Sequence, residues 1–179
     1  MDKLRCQNGY TLVLVMVFLS MVTIVVLSML DTWVMETLIS RNSRDAEQAF
    51  QLAEGAVFLG VEQSYQVLLQ NYSTVETLPV RIELAETTFT DSVKGQRVQM
   101  QVSHPTLIEQ RSDYCIYEIK GQGVCSPAKY KLIVQVRFDY LEYHFLQYDT
   151  DGSVVGMAFS HRDFLDRGKV IKMERALQP

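Results

Sequence analysis

The sequence predicts an α+β protein in which one long N-terminal helix packs on a small antiparallel sheet. Three observations predict this fold. An uncharged run of 21 residues extends from Tyr10 to Leu30. A helical pattern continues beyond it without a glycine until Gly55 and without a proline until Pro79. From about residue 97 onward, apolar and polar side chains alternate as they do in half-buried strands.

Length and charge limit what this chain can do. Of its 179 residues, only about 110 remain outside the long helix, which is enough for one small domain. The formal net charge of −4 provides no excess of basic side chains to neutralise phosphates. Nucleic-acid binding is therefore not predicted.

The uncharged run has the length of a membrane-spanning helix. At about 1.5 Å per residue it covers roughly 31 Å, close to the thickness of the hydrocarbon core of a bilayer. Lys3 and Arg5 precede the run and Asp31 follows it, so the positive-inside rule predicts a cytoplasmic N-terminus and an external segment 31–179. A cleaved secretory signal is disfavoured, since its apolar core would be shorter and would end at small residues.

Gly9 lies between the short basic leader, residues 1–9, and the uncharged run, residues 10–30. It is either a flexible residue at a helix start or the last residue of a leader that is removed on the cytoplasmic side. Cys6, within the leader, has no predicted partner, and lipidation of this thiol stays open.

Residues 31–70 predict an amphipathic continuation of the helix, because apolar or small residues recur at spacings of three and four. A coiled coil is one explanation of such a stripe. Its residues from 46 to 60 are, however, unusually small for a coiled-coil seam: Ala46, Ala49, Ala53, Ala56 and Gly60. Docking of this half of the helix against a sheet is therefore the preferred interpretation.

Residues 71–179 predict four or five short strands in hairpin order. The loop 71–79 comes first, and the strand patterns then lie at 97–103, 113–119 and 129–140. A last hairpin joins Glu142–Tyr148 to Val154–Phe159 through the turn Asp149–Gly152. Alternation places Tyr130, Leu132, Val134, Val136, Phe138 and Tyr140 on one face, which the amphipathic half of the helix would cover.

Cys115 and Cys125 are separated by nine residues, with Gly121 and Gly123 between them. This spacing predicts a disulfide across a hairpin in an oxidising compartment. Two thiols are the alternative.

Motifs for chemistry are sparse. His104, His144 and His161 are scattered without a second ligand at metal spacing, so they are interpreted as surface or half-buried histidines. The turn at Asp149 and Asp151 resembles a fragment of a calcium loop, but the closing Glu is missing and a hairpin turn is preferred. No enzyme activity, catalytic residue, metal site or cofactor is predicted.

Together these features resemble a type IV prepilin or pseudopilin, and more narrowly the PilX-type minor pilins. Three stretches carry the resemblance: the leader with Gly9-Tyr-Thr-Leu-Val, the helical RNSRDAEQAFQLAEGAV at 41–57, and YEIKGQGVC with AKYKLIVQVRF within 117–138. The likeness covers the first 60 residues well and the remainder only in outline.

The resemblance implies a pilin-like fold and a processing step. Prepilin peptidase would cut between Gly9 and Tyr10, and the new amino group of Tyr10 would be N-methylated. The apolar half of the helix would be held in the bacterial inner membrane as a single-pass anchor, with the C-terminal domain in the periplasm, before entering a pilus or pseudopilus. Implied partners are other pilins and minor pilins, prepilin peptidase and the assembly platform of the inner membrane.

Two positions depart from the pattern of major pilins. Residue one of the mature chain would be Tyr10 where Phe or Met is more usual, and the fifth residue, Leu14, stands where major pilins carry Glu. The absence of this Glu is familiar in minor pilins and pseudopilins at or near a filament tip. The resemblance thus implies a low-abundance priming or tip subunit with a role in adhesion, motility or DNA uptake. The alternative is a signal-anchored envelope protein that binds a partner without entering a filament.

Overall fold

The structure is a computed structural model that describes residues 3–93 and 96–176, with side chains described for residues 10–92 and 98–176. Its elements in chain order are α1 (Lys3–Asn71), β1 (Thr88–Val93), β2 (Gln96–Val102), β3 (Thr106–Gln110), β4 (Tyr114–Cys125), β5 (Ala128–Tyr148), β6 (Val154–Phe164) and β7 (Lys169–Arg175). The described chain divides into two compact units, residues 1–44 and residues 45–179.

The first unit is the N-terminal part of α1. Every described side chain from Tyr10 to Arg44 is exposed, including large apolar ones such as Ile24 at 67% and Phe18 at 66%. The prediction of an unbroken helix to about residue 70 is confirmed, since α1 ends at Asn71.

The second unit contains the rest of α1 and a seven-stranded antiparallel sheet. The strand order is β1-β2-β4-β5-β6, with β3 also paired to β4 and β7 also paired to β5. The two long strands β4 and β5 pair over their full common length, from Tyr114↔Asp139 to Cys125↔Ala128. Shorter strands then pair with successive parts of each long strand.

The core lies between the second half of α1 and one face of the sheet. The predicted inward face of β5 is confirmed: Leu132, Val134, Val136 and Phe138 are fully buried, and Tyr140 is 1% exposed. On β4, Cys115, Tyr117 and Ile119 are buried at alternate positions, as their alternation predicts. The fold is thus the predicted pilin-like α+β arrangement, a long helix packed against a curled antiparallel sheet.

The helix contributes small residues to this interface. Ala49, Ala53 and Ala56 are at most 1% exposed, which confirms docking against a sheet within this unit. Ala46, predicted in the same stripe, is exposed instead.

The described part of the sheet contains seven strands, where the sequence predicted four or five. The additional strands are β1, β3 and β7, which are short and lie at the margins of the sheet. Every side chain of β7 is exposed, so no alternation of apolar and polar residues identifies it as a strand. The predicted last hairpin is present, and its turn has a hydrogen bond from Gly152 N to Asp149 O (2.9 Å) with Gly152 at φ +83°.

Candidate functional site

The first candidate site is the apolar stretch of α1 in the N-terminal unit. Within the described residues, one helix is long and apolar enough to cross a membrane, and none of its most apolar window is buried inside the protein. A helix that is apolar on all sides and unburied requires an apolar environment outside its own chain. This stretch therefore has the properties of a membrane anchor or of an assembly element.

Three hydroxyl side chains of this stretch are satisfied within the helix. Ser20 Oγ donates to Val17 O (2.8 Å), Thr23 Oγ1 to Leu19 O (2.7 Å) and Ser28 Oγ to Val25 O (2.8 Å). Because each hydroxyl already has an acceptor one turn back, none needs water as a partner. The hydroxyl groups thus present no obstacle to burial of the helix in lipid.

The predicted processing residues lie at the start of this helix. The backbone of Gly9 is helical, while its surroundings and the side chain of Cys6 lie outside the described side chains, and residues 1–2 of the leader lie outside the described residues. Tyr10 is 73% exposed and Leu14 is 56% exposed. Both predicted positions thus have accessible side chains, and cleavage and methylation remain predictions.

Comparison with known families gives a match to this part of the chain. Residues 8–58 match the family described as PilX N-terminal. This part of the chain therefore carries a PilX N-terminal domain. No curated protein and no solved structure matches the chain.

The matched segment includes the apolar stretch of α1 and the part of the docked helix up to Val57. An apolar N-terminal helix of this kind fits a membrane-anchored pilin and an association with pilus machinery.

The predicted disulfide between Cys115 and Cys125 is wrong. The two residues begin and end the same strand, β4, and are not joined to each other. Ten steps of an extended strand at about 3.3 Å each separate their Cα atoms by roughly 33 Å, whereas a disulfide requires less than about 7 Å. Cys125 Sγ instead donates a hydrogen bond to Gln48 Oε1 at 3.3 Å.

The glycines between the cysteines are not a turn, and their role is contact with the helix. A Cβ atom at Gly121 would lie 2.5 Å from Ala53 O, and one at Gly123 would collide with Ala49 O. The helix backbone thus approaches the strand so closely that only hydrogen fits at these two positions. The signal that identifies this contact is the match between small residues on the helix and the Gly-x-Gly pattern inside a strand.

Sequence reasoning also missed Arg162, which is fully buried on β6. Its Nε donates to Glu142 Oε1 (3.1 Å), with a second contact from Nη2 to the same oxygen. The remaining donors reach three carbonyl oxygens just after the end of α1, those of Tyr72 (3.4 Å), Val75 (3.2 Å) and Glu76 (3.0 Å). One guanidinium therefore fixes the chain after the helix to the β5–β6 hairpin.

Aromatic rings complete the surroundings of Arg162. Its guanidinium carbon lies 4.6 Å from the ring centroid of Tyr140 and 5.3 Å from that of Phe159, within the range of a cation–π contact. A charged residue in a strand of mixed exposure gives no signal in the sequence that it is buried.

Burial changes the titration of core groups near this cluster. Loss of solvent raises the pKa of the Cys115 thiol to about 12, and the pKa of the Tyr117 hydroxyl is raised for the same reason. The Tyr117 hydroxyl donates to Pro79 O at 2.8 Å, which ties the loop after the helix to the sheet. These groups therefore remain protonated inside the folded protein around neutral pH.

The three histidines do not converge. His104 is half-buried between β2 and β3, where its Nδ1 accepts a hydrogen bond from Leu84 N (3.0 Å), while His144 and His161 are exposed on the last hairpin. Among the described residues, no group of three or more His, Cys, Asp or Glu side chains is placed to hold a metal ion. In the turn, Asp151 Oδ1 accepts hydrogen bonds from Ser153 Oγ (2.7 Å) and Ser153 N (2.9 Å).

Proposed function

We propose that this chain is a minor type IV pilin or pseudopilin with a structural role, and that it acts as a priming or tip subunit in filament assembly. The observation that carries the proposal is the PilX N-terminal domain at residues 8–58, which coincides with an exposed apolar helix and with its docked continuation. Such a subunit contributes to adhesion, motility or DNA uptake through the filament that it initiates or terminates, without enzymatic chemistry of its own.

Processing supplies the first part of the proposal. Prepilin peptidase cuts between Gly9 and Tyr10, and the new amino group of Tyr10 is methylated. The apolar helix holds the mature chain in the bacterial inner membrane, with residues 31–179 in the periplasm, as the basic leader favours. There the chain meets the assembly platform and other minor pilins.

Leu14 supports a place at the tip instead of along the shaft. In major pilins a Glu at this position offsets the amino terminus of a neighbouring subunit in an apolar core, where an unpaired charge is costly. Leu14 has no charge with which to do so, and its side chain is 56% exposed on the helix. Other subunits would therefore not follow this one in the regular manner of a shaft.

Mass spectrometry of the membrane-extracted protein tests the processing step. We expect a chain that begins at methylated Tyr10, and a Gly9→Val variant, with a bulky residue before the cleavage site, should retain the leader. An intact N-terminus in the unaltered protein would favour the second candidate, a signal-anchored envelope protein that binds a partner outside any filament. Recovery in sheared filaments would then distinguish a pilin from such a protein.

A substitution at Leu14 tests the position in the filament. Leu14→Glu restores the missing carboxylate and should increase incorporation along the fibre several-fold, measured as the ratio of this chain to the major subunit in sheared filaments. Leu14→Gln, which has a similar shape without the charge, is the matched control and should leave that ratio unchanged. An equal ratio in all three proteins would contradict the role assigned to this position.

A further inference from the structure

A polar cavity lies on the outer face of the sheet, beside β4 where β2 ends and β3 begins. Its place follows from the alternation on β4, where Glu118 and Lys120 line the cavity while Tyr117 and Ile119 are buried in the core. Its volume of about 410 Å³ is within the range of roughly 300–1,000 Å³ that is typical of small-molecule sites. The outer cavity, as we call it, is therefore large enough for a small ligand.

The backbone around the outer cavity is fixed by hydrogen bonds. Ser103 N donates to Lys120 O (2.8 Å), and Lys120 N donates back to Ser103 Oγ (3.2 Å). Arg81, on the segment before β1, is held by a β-bridge to Thr106 at the start of β3. A ligand would thus meet a preformed site and would not have to order its backbone.

The charged side chains at the outer cavity form two ion pairs. Arg81 Nε lies 3.2 Å from Glu83 Oε1, and Lys120 Nζ lies 2.8 Å from Glu118 Oε1. Glu83 Oε2 also lies 3.4 Å from His104 Nδ1. Because the two cations and the two carboxylates balance, a free anion would compete with the carboxylates and a free cation would be repelled by the cations. The arrangement therefore favours a ligand without net charge.

The ion pairs leave hydrogen-bonding groups available to such a ligand. Among the described contacts, the Nη groups of Arg81 and the further hydrogens of Lys120 Nζ remain as donors, and Glu118 Oε2 remains as an acceptor. The three side chains are 57%, 43% and 26% exposed, respectively. A ligand can therefore bind to donors and acceptors at once without breaking either pair.

Neutral side chains around the outer cavity have the same mixed character. Gln101 contributes an amide, and Thr87 and Ser103 contribute hydroxyl groups. His104 Nδ1 accepts a hydrogen bond from Leu84 N (3.0 Å), so in the neutral ring Nε2 carries the hydrogen and is a donor. Donors and acceptors thus alternate around one cavity.

We propose that the outer cavity binds a neutral saccharide through its neighbouring hydroxyl groups. A sugar hydroxyl donates one hydrogen bond and accepts up to two, so adjacent hydroxyls can satisfy donors and acceptors that lie side by side. An apolar ligand would find little to contact, because Val102, the one apolar residue among the described lining residues, is 1% exposed.

The outer cavity belongs to the second unit, so saccharide binding requires neither the leader nor entry into a filament. Its failure and the failure of the proposed function are therefore separate results. At a filament tip, such a site would give the subunit a means of adhesion to surface glycans, and this consequence alone rests on the proposed function.

The test is calorimetric titration of the full chain in a detergent without a sugar headgroup. The probes are the methyl glycosides of glucose, galactose, mannose and N-acetylglucosamine. We expect at least one of them to bind, with an affinity that changes less than about twofold when the salt concentration rises tenfold, because a neutral ligand is not screened. Lys120→Met and Arg81→Met should each weaken this binding about tenfold, since each removes a charged donor.

Lys172→Met is the matched control. Lys172, on β7 of the same sheet, is also paired with a glutamate two residues away, with 2.6 Å between Lys172 Nζ and Glu174 Oε1, and its side chain is 56% exposed. Its loss should leave saccharide binding unchanged. Hydrogen exchange at the amides of β4 verifies that each variant is folded, and Gln101→Ala replaces any variant that is not.

Failure of all four glycosides to bind would overturn the proposal. It would also be overturned by binding that persists unchanged in the folded cavity variants, or by an equal loss in Lys172→Met. Salt-sensitive binding of sodium phosphate or sodium glucuronate, without binding of the neutral glycosides, would make the cavity an anion site instead.

Discussion

Helix α1 consists of two parts that differ in which side chains are buried. Large apolar side chains are exposed in the first part, and small ones are buried in the second. From Tyr10 to Arg44 the side chains include many large apolar residues, and all of them are exposed. In the second unit the part of the helix that crosses the glycines of β4 presents alanines to the sheet, with Ala49 and Ala53 fully buried. Hydrophobicity alone therefore does not predict which part of this helix belongs to the core of the protein.

The difference follows from what each part must contact. A sheet with glycines at the crossing point admits the helix backbone itself, and only small side chains permit such an approach. Large side chains projecting in all directions suit lipid or the helices of other subunits. Changes that act on the docked part should therefore alter the stability of the second unit and leave the helical content of the first unit intact.

The largest expected effect is at Arg162, which fixes the chain immediately after the docked part. Arg162→Met should reduce the free energy of unfolding of the second unit by about 3–5 kcal/mol, because it leaves the Glu142 carboxylate and three carbonyl groups without their donor. Urea unfolding of the full chain in detergent measures this loss, with hydrogen exchange at the amides of β5 as the probe.

Arg167→Met is the matched control for this substitution. Arg167 is 77% exposed and approaches Glu62 only at 3.8 Å, so its loss should cost less than about 1 kcal/mol. Equal costs for the two arginines would mean that burial of Arg162 does not determine its contribution.

The next effect concerns the crossing of helix and strand. Gly123→Val places side-chain atoms where the backbone of Ala49 and Ala53 lies, and should destabilise the second unit by about 2–3 kcal/mol. Gly156→Val is the control, since a Cβ atom there meets nothing within 4 Å. Thermal unfolding measures the stability of both variants. A Gly156→Val control as unstable as Gly123→Val would show that the close approach of helix and strand is not the cause of the destabilisation.

The same crossing shows what the sequence could and could not predict. The alternation in 129–140 and the small stripe on the helix predicted the two surfaces of the core correctly, because each pattern reports a local period. A disulfide across a hairpin requires a turn at the Gly-x-Gly between Cys115 and Cys125, but a glycine in a strand and a glycine in a turn are alike in sequence until the packing partner is known. The prediction of the disulfide is wrong for this reason.

The residues that sequence reasoning missed depend on distant partners. Arg162 acquires its role from carbonyl groups near residue 75, far along the chain, and no local pattern reports such a contact. Strand β7 pairs with β5 through its backbone while all of its side chains remain exposed, so its side-chain sequence carries no record of burial.

Alkaline pH should reduce the free energy of unfolding of the second unit to an intermediate extent. The pKa of Cys115 is about 12 in the folded protein because of burial, against 9.0 for an ordinary thiol. Above pH 9 the unfolded chain therefore binds fewer protons than the folded chain, and stability falls as the pH rises towards 12. The raised pKa of Tyr117 acts in the same direction.

Unfolding by urea at a series of pH values between neutrality and pH 11 measures this slope. Cys115→Ala should make the decline shallower, whereas Tyr148→Phe, at a 63% exposed tyrosine, should not. A decline that is unaffected by Cys115→Ala would assign the alkaline sensitivity to other groups.

The smallest expected effect compares hydroxyl groups in the two parts of the helix. Ser64 is fully buried under the sheet, and its Oγ donates to Gly60 O at 2.5 Å, just as Ser28 donates to Val25 O in the exposed part. In both cases removal of the hydroxyl leaves no buried donor without an acceptor, so Ser64→Ala should cost less than about 1 kcal/mol. Ser28→Ala should leave the unfolding of the second unit unchanged. A loss above about 2 kcal/mol for Ser64→Ala in urea unfolding would mean that this hydroxyl contributes to the contact with the sheet as well as to its own helix.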